Sequence, residues 1–248
     1  MQNLYWCDGI ECIWPFSISN EIQVEEEDTG EKQESSHFVP LLESLEILQL
    51  SFLENLSAII KWERRVTAPA GTFSNLKKIV IESCDKIKKL FSPGLLQHLQ
   101  NLEEIEVCMC KEMEEIVAED DEEGMGACSC SNNKTSSSSS FFNNNNSSTI
   151  FTLPKLKIFK LSGLPKLKSI CKGVMACDSI EQIHLIWCPR LKRVPFSLPL
   201  VNGQPSPPHA LRSILTERIT WESLDWDHPN AKNVLQPLVT YSYYDGPE

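Results

Sequence analysis

The sequence predicts an α/β solenoid, with short parallel strands lining a concave side and irregular loops or short helices on a convex side. Three observations lead there. The pattern Leu-x-x-Leu-x-Leu occurs in five full copies, each copy runs on into apolar residues in steps of three, and successive copies are evenly spaced wherever no insertion intervenes.

The copies begin at Leu45 (with Leu48 and Leu50), Leu76 (Ile79, Ile81), Leu102 (Ile105, Val107), Leu156 (Phe159, Leu161) and Ile180 (Ile183, Leu185). Apolar positions two apart make a short strand with one buried face. The register then continues through Leu53, Leu56 and Ile59; Cys84, Ile87 and Leu90; Cys110, Met113 and Ile116; Leu164, Leu167 and Ile170; Cys188, Leu191 and Val194. Steps of three suit a tight loop that returns the chain for the next strand. Strand centres lie 31 (Leu50 to Ile81), 26 (Ile81 to Val107) and 24 (Leu161 to Leu185) residues apart, close to the roughly 20–29 of leucine-rich repeats. No single unit can bury its own apolar row, so neighbours must stack. The expected shape is therefore a leucine-rich-repeat horseshoe. Cys7, Cys84, Cys110 and Cys188 share one repeat position, where a small buried side chain packs under the turn and can bond backbone groups.

This pattern divides the chain. Residues 1–18 hold a partial repeat in which Leu4, Cys7, Ile10 and Ile13 supply only the second half of the unit. Residues 19–37 are an acidic insertion, and 38–197 carry the repeats around a second low-complexity insertion at 118–149. Both insertions are too polar to offset their ordering entropy and are expected to be disordered. Prolines 195, 199, 205, 207 and 208 are expected to end the regular stack. Residues 198–248 then form a proline-rich linker and a C-terminal cap holding Trp221 and Trp226, with one short strand and one short helix. A start part-way through a repeat suggests a fragment, a truncated gene product or a short paralogue. An uncapped N-terminal layer would leave the isolated chain marginally soluble.

Net charge is -11, which gives no counterion-release drive toward nucleic acid. The charge is segregated: residues 102–123 hold eleven acids and one lysine, while residues 151–193 hold nine basic and two acidic side chains. No secretory signal and no membrane-spanning run stands in the sequence, so the ten cysteines read as reduced thiols in the cytoplasm. Cys108-x-Cys110 and Cys128-x-Cys130 could supply four thiolates to zinc, but they lack Cys-x-x-Cys spacing and Cys110 already serves the repeat. The run Glu119–Glu123 lacks the alternating ligands and glycine of a calcium loop. Five scattered histidines sit beside no recognisable nucleophile. No catalytic, cofactor or metal residues are assigned.

Function is expected on the strand positions that face away from the leucines: Glu46 and Gln49; Lys77 and Lys78; Glu103, Glu104 and Glu106; Lys157 and Lys160; Glu181, Gln182 and His184, with Ile47, Val80 and Ile158 among them. Their signs alternate along the stack, and strands only about 4.8 Å apart allow lateral pairs such as Lys77 with Glu103 and Lys78 with Glu104. Such charges either neutralise one another to keep the face soluble or form a docking surface for a protein partner. Phe52, Ile186 and Trp187, at the ends of their strands, are candidate apolar anchors at the rim.

The segments Phe73-Ser-Asn-Leu-Lys-Lys-Ile-Val-Ile-Glu-Ser-Cys84, Leu102-Glu-Glu-Ile-Glu-Val-Cys-Met-Cys-Lys-Glu-Met-Glu-Glu-Ile116 and Leu153-Pro-Lys-Leu-Lys157, with the closing Trp221-Glu-Ser-Leu-Asp-Trp-Asp-His-Pro229, resemble the leucine-rich-repeat region of plant disease-resistance proteins of the coiled-coil, nucleotide-binding class. The resemblance implies a repeat region that senses pathogen effectors or guarded host proteins and restrains the receptor's own nucleotide-binding domain. The chain contains no Gly-x-x-x-x-Gly-Lys-[Ser/Thr], so it has no phosphate cradle of its own. The alternative is a stand-alone adaptor or decoy, such as part of a ubiquitin-ligase substrate adaptor, which would need an F-box-like segment absent here. An enzyme built on the stack has no constellation to support it.

Overall fold

A computed structural model describes residues 2–5, 9–16, 43–62, 71–118 and 149–242. Residues 19–37 and 119–148, with Cys128 and Cys130, lie outside the described residues, as does Cys7.

Every predicted pair of apolar residues two apart forms a strand. Strands β1 (Gln2–Tyr5), β2 (Ile47–Ser51), β3 (Lys78–Glu82), β4 (Glu104–Cys108), β5 (Ile158–Ser162), β6 (Gln182–Ile186), β7 (Ser213–Thr216) and β8 (Val239–Tyr241) make one sheet. They lie side by side in chain order, and every pairing is parallel. That order requires the chain to return between strands and advance one strand at each pass. Register follows the leucine pattern. Leu48, Ile79, Ile105, Phe159, Ile183 and Ile214 form one buried row, and Leu50, Ile81, Val107, Leu161, Leu185 and Thr216 form the next. None of these twelve is more than 1% exposed.

The steps of three are tight turns. The amides of Leu56, Ile87, Met113, Leu167 and Leu191 each donate to the carbonyl three residues back, at 3.1–3.3 Å. The approach to the next strand uses the same device, from Leu76, Leu102, Leu156, Ile180 and Leu211. Between strand and turn stands one residue of positive φ: Phe52 (59°), Ser83 (51°), Met109 (57°), Gly163 (67°) and Trp187 (51°). The first four donate their amides to the last residue of the following strand, at 2.9–3.0 Å, so the bend of one repeat is pinned to its neighbour. The repeat-position cysteines complete this corner. Cys84, Cys110 and Cys188 are fully buried, and each thiol reaches the carbonyl two residues back, at 3.4–3.5 Å.

The return limb is more regular than the expected loops and short helices. It forms parallel pairs: Cys12–Phe16 with Ala58–Trp62, Lys89–Phe91 with Glu115–Val117, Ile150–Thr152 with Val174–Ala176, and Arg193–Val194 with Asp225–Trp226. A single-turn helix, α1 (Pro93–Leu96), follows the first member of the second pair; it is started by Ser92, whose hydroxyl accepts from the amide of Leu95 at 3.3 Å. Apolar residues with strand propensity end each step-of-three run (Ile59, Ile60; Leu90, Phe91; Ile116, Val117), and stacked neighbours bring them within pairing distance.

The sheet also continues beyond the proline-rich stretch. Those prolines bracket a hairpin, Leu200–Val201 against Gln204–Pro205, turned by Asn202 and Gly203 with both φ positive, as a two-residue turn between twisted strands demands. Past it, Leu211-x-x-Ile214-x-Thr216 is a sixth copy of the pattern. Threonine in the third leucine place hides it from a leucine count. Between β7 and β8 stand α2 (Arg218–Ser223), the pair Asp225–Trp226, α3 (Ala231–Leu235) and a 3-10 turn at Gln236–Leu238. One strand and one helix therefore understate this tail. Trp221 is buried against Trp226, ring centroids 5.9 Å apart, and donates its indole N–H to Gln236 at 2.9 Å. Arg193 ties the tail to the stack, bonding Asp227 at 2.8–2.9 Å and the carbonyls of residues 171–173. Among the described residues, no helix is long and apolar enough to cross a membrane.

The corner residues yield a test. A methyl group at Gly163 would sit 2.7 Å from Met109 Sδ on a backbone of φ 67°, so Gly163→Ala should destabilise the chain by about 1 kcal/mol. At Ser83, whose φ of 51° is already strained for a residue with a Cβ, Ser83→Gly should change stability by less than about 0.5 kcal/mol. Urea denaturation of the two variants checks the contrast.

Candidate protein-binding face

On the side of the sheet opposite the buried rows, side chains fall into lateral files set by the parallel register. Ile47, Lys78, Glu104, Ile158, Gln182 and Ser213 share one file; Gln49, Val80, Glu106, Lys160, His184 and Leu215 share another. Seven of the twelve residues expected to bind a partner therefore stand on the outward face of the strands: Gln49, Lys78, Glu104, Glu106, Lys160, Gln182 and His184. The other five, Glu46, Lys77, Glu103, Lys157 and Glu181, sit one residue ahead of their strands. They form a file of their own in which the amide of each later member donates to the carbonyl of the one before, at 2.7–2.8 Å.

That leading file alternates in sign without a break. Arg212, which the leucine count passes over with its repeat, is its next member and closes on Glu181 at 3.7 Å. Lys77 turns back to Glu46 (2.8 Å), and Glu103 takes Lys157 (2.6 Å). The expected Lys77–Glu103 pair is thus displaced, because each lysine reaches the acid of the preceding repeat. Lys78 and Glu104 do pair, at 2.9 Å, and Glu104 also holds Lys160 at 3.3 Å, with Glu106 3.8 Å from the same ammonium.

The acidic repeat 102–116 is stapled to the basic repeat 156–170 along its whole course. Beyond Glu103–Lys157 and Glu104–Lys160, Glu112 pairs with Lys166 and Glu114 with Lys168, both at 2.6 Å. The hydrogen bond from Lys157 holds Glu103 below the ordinary carboxylate value of 4.5; Lys168 does the same for Glu114, and Lys77 for Glu46.

The charges of the sheet face are therefore largely spent on one another. The C-terminal end of the face is different in kind: Gln182, His184, Ser213 and Leu215 carry no formal charge at neutral pH, and Ile186 closes β6. Partial burial, with Lys160 nearby, lowers the pKa of His184 and keeps its imidazole neutral. Trp187 and Phe52 are partly exposed at the ends of their strands. Ser213 and Leu215 escaped the sequence pattern for the same reason as Arg212, the threonine at position 216.

Burial disfavours the thiolate at several repeat cysteines. Burial, with Glu82 and Glu106 adding to it, pushes Cys108 up to about 11, and burial pushes Cys188 up to about 12. The Cys110 thiol faces the core and is raised by the same cause. Among the described residues, no three His, Cys, Asp or Glu side chains gather in a way that could hold a metal ion.

The pairing predicts how stability responds to charge and acid. Glu103→Lys or Lys157→Glu alone should lower the melting temperature by no more than about 3 °C, and the double swap should recover it; thermal melts of the three variants check this. Glutamates depressed below 4.5 contribute stability that is present above that value and lost as pH falls through their lower native values. Melts below pH 4.5 should therefore lose stability, and Glu114→Gln should make that loss shallower.

Comparisons with known proteins agree with the repeat geometry. The family model described as "Plant disease resistance protein RPS2-like, leucine-rich repeats" matches residues 3–110 and 60–200. A disease resistance protein of Arabidopsis thaliana is 26% identical over 221 residues, which is 89% of this chain and 19% of that protein. A second Arabidopsis protein, named as a probable disease resistance protein, is 31% identical over 148 residues, 59% of this chain and 13% of its own length. The chain thus spans a fifth or less of the length of these two relatives. With the repeat corner, the sequential parallel sheet and the matched span in agreement, the chain belongs to the RPS2-like leucine-rich-repeat family of plant disease resistance proteins.

Proposed function

We propose that this chain is the sensing repeat region of a plant intracellular immune receptor, a horseshoe whose eight-stranded sheet is the concave, protein-binding face. Its partners are a pathogen effector or the host protein that the effector modifies, and the nucleotide-binding domain of the parent receptor, which the same region holds at rest in the cytoplasm. It acts by binding and not by catalysis.

One observation carries this reading: the outward side chains are set in register by the backbone ladder while their charges are consumed in neighbouring pairs. A face arranged in this way is rigid before a partner arrives, and its uncharged end at Gln182, His184, Ile186 and Leu215 can be desolvated at low cost. Binding energy in protein interfaces concentrates in such patches, while paired charges at the margin set orientation and approach. Of the twelve residues named from the sequence, Gln182 and His184 lie in that patch, and Lys160 and Glu181 adjoin it.

The test is a titration of the chain with the nucleotide-binding domain of its parent protein. His184→Glu and Leu215→Lys should each weaken binding about tenfold or more. Arg190→Glu, exposed and off the sheet face, should leave binding unchanged. Equal effects from all three, or an effect of Arg190→Glu alone, would reject the sheet face as the binding surface.

A further inference from the structure

Along the leading file the charges pair off with one exception, and it stands beside the uncharged end of the sheet face. Lys77 donates to Glu46 at 2.8 Å and Lys157 to Glu103 at 2.6 Å, each a hydrogen-bonded ion pair. Arg212 comes no closer to Glu181 than 3.7 Å, through Nε, and its guanidinium makes no hydrogen bond among the described residues. Its side chain is 77% exposed, more than that of any other ion-pair partner among those residues. Glu181 is also shared: the hydrogen bond from Lys157 to Glu103 raises the pKa of that lysine, and the charge of Glu181 adds to the effect. On the other flank of Arg212 no acid stands ready. Register with β8, Ile214 opposite Val239, sets it beside Gln236-Pro237-Leu238, which carries no charge.

The surroundings of this underused cation define what it can recognise. Ser213 follows it on the outward face of β7 beside Gln182, and Leu215 stands beside His184. All four are partly exposed and carry no formal charge at neutral pH. A guanidinium presents its donors in a planar fork that matches the two oxygens of a carboxylate. An ion pair formed at the margin of a patch from which water has been excluded is stronger than the same pair in open solvent. Arginine in that position is accordingly frequent among the side chains that dominate protein interfaces.

We propose that Arg212 is the specificity-determining residue of the sheet face. It takes in its fork a carboxylate side chain that the protein partner carries at the margin of an uncharged segment, and that segment lies over Gln182, His184, Ser213 and Leu215. The inference rests on the sheet face being the binding surface, and it adds the chemistry by which a partner is chosen there.

The experiment titrates the full chain and its Arg212 variants with the nucleotide-binding domain proposed as its partner. A panel of that domain's variants, each with one exposed Asp or Glu changed to Lys, is titrated in the same way. Arg212→Glu should weaken binding about tenfold or more, and Arg212→Lys, which keeps the charge and loses the fork, should weaken it to a smaller extent. One member of the panel should restore binding to Arg212→Glu while weakening binding to the unaltered chain. Melting temperatures of the Arg212 variants should stay within about 2 °C of the original, which separates a lost contact from a lost fold. The inference is overturned, and the sheet-face reading kept, if His184→Glu and Leu215→Lys weaken binding while Arg212→Glu does not, or if no acid reversal restores binding to Arg212→Glu. Indifference of binding to His184→Glu and Leu215→Lys, or an absence of saturable binding, overturns the sheet-face reading and this inference with it.

Discussion

Everything in this molecule depends on lateral stacking, because a repeat of some 25 residues has no inside of its own. Ile81 lies against Leu50 on one side and Val107 on the other, and all three vanish from solvent only because both neighbours are present. The same dependence governs the polar atoms. Amides of the corner residues at 52, 83, 109 and 163 find their carbonyls on the next repeat and not on their own. Hydrophobic burial and backbone satisfaction thus call for the same neighbour, which is what makes a one-dimensional stack cooperative.

Neighbour choice is then a problem, since every unit offers a similar apolar row. The strongest demand falls between Val107 and Leu161, where a long insertion separates units that must meet. Here the chain places an acidic repeat against a basic one and closes five ion pairs, from Glu103–Lys157 to Glu114–Lys168, all in register but the diagonal Glu104–Lys160. Each exposed pair contributes little stability. Together they favour this neighbour in this register, since a slip of one residue would oppose Glu103, Glu104, Glu106 and Glu112 to Ile158, Phe159, Leu161 and Leu167. The segregation of charge along the sequence is in this light a code for assembly before it is a property of any binding surface.

Much of this was legible in advance. The five strands, the turns after them and the buried place of Cys84, Cys110 and Cys188 follow from spacing alone, because a buried row requires apolar residues at fixed intervals. The parts that were not legible have physical reasons. Thr216 replaces a leucine while remaining fully buried, so a pattern keyed to leucine stopped one repeat early and lost Arg212, Ser213 and Leu215. The direction of each lysine along the leading file depends on side-chain reach, and spacing could not tell Glu46 from Glu103 as the partner of Lys77. The parallel pairs of the return limb depend on how closely successive loops stack, which no single repeat reveals.

Contact between a partner and the uncharged end of the sheet face can be read directly at His184. Its neutral, half-buried imidazole stands on that face, while His209 and His228 lie off the sheet strands. Diethyl pyrocarbonate labelling of these histidines, with and without the nucleotide-binding domain proposed as its partner at saturation, reads the face site by site. The expected result is that His184 is protected while His209 and His228 keep their reactivity. Undiminished labelling of His184 in the complex would contradict the assignment of this face as the binding surface.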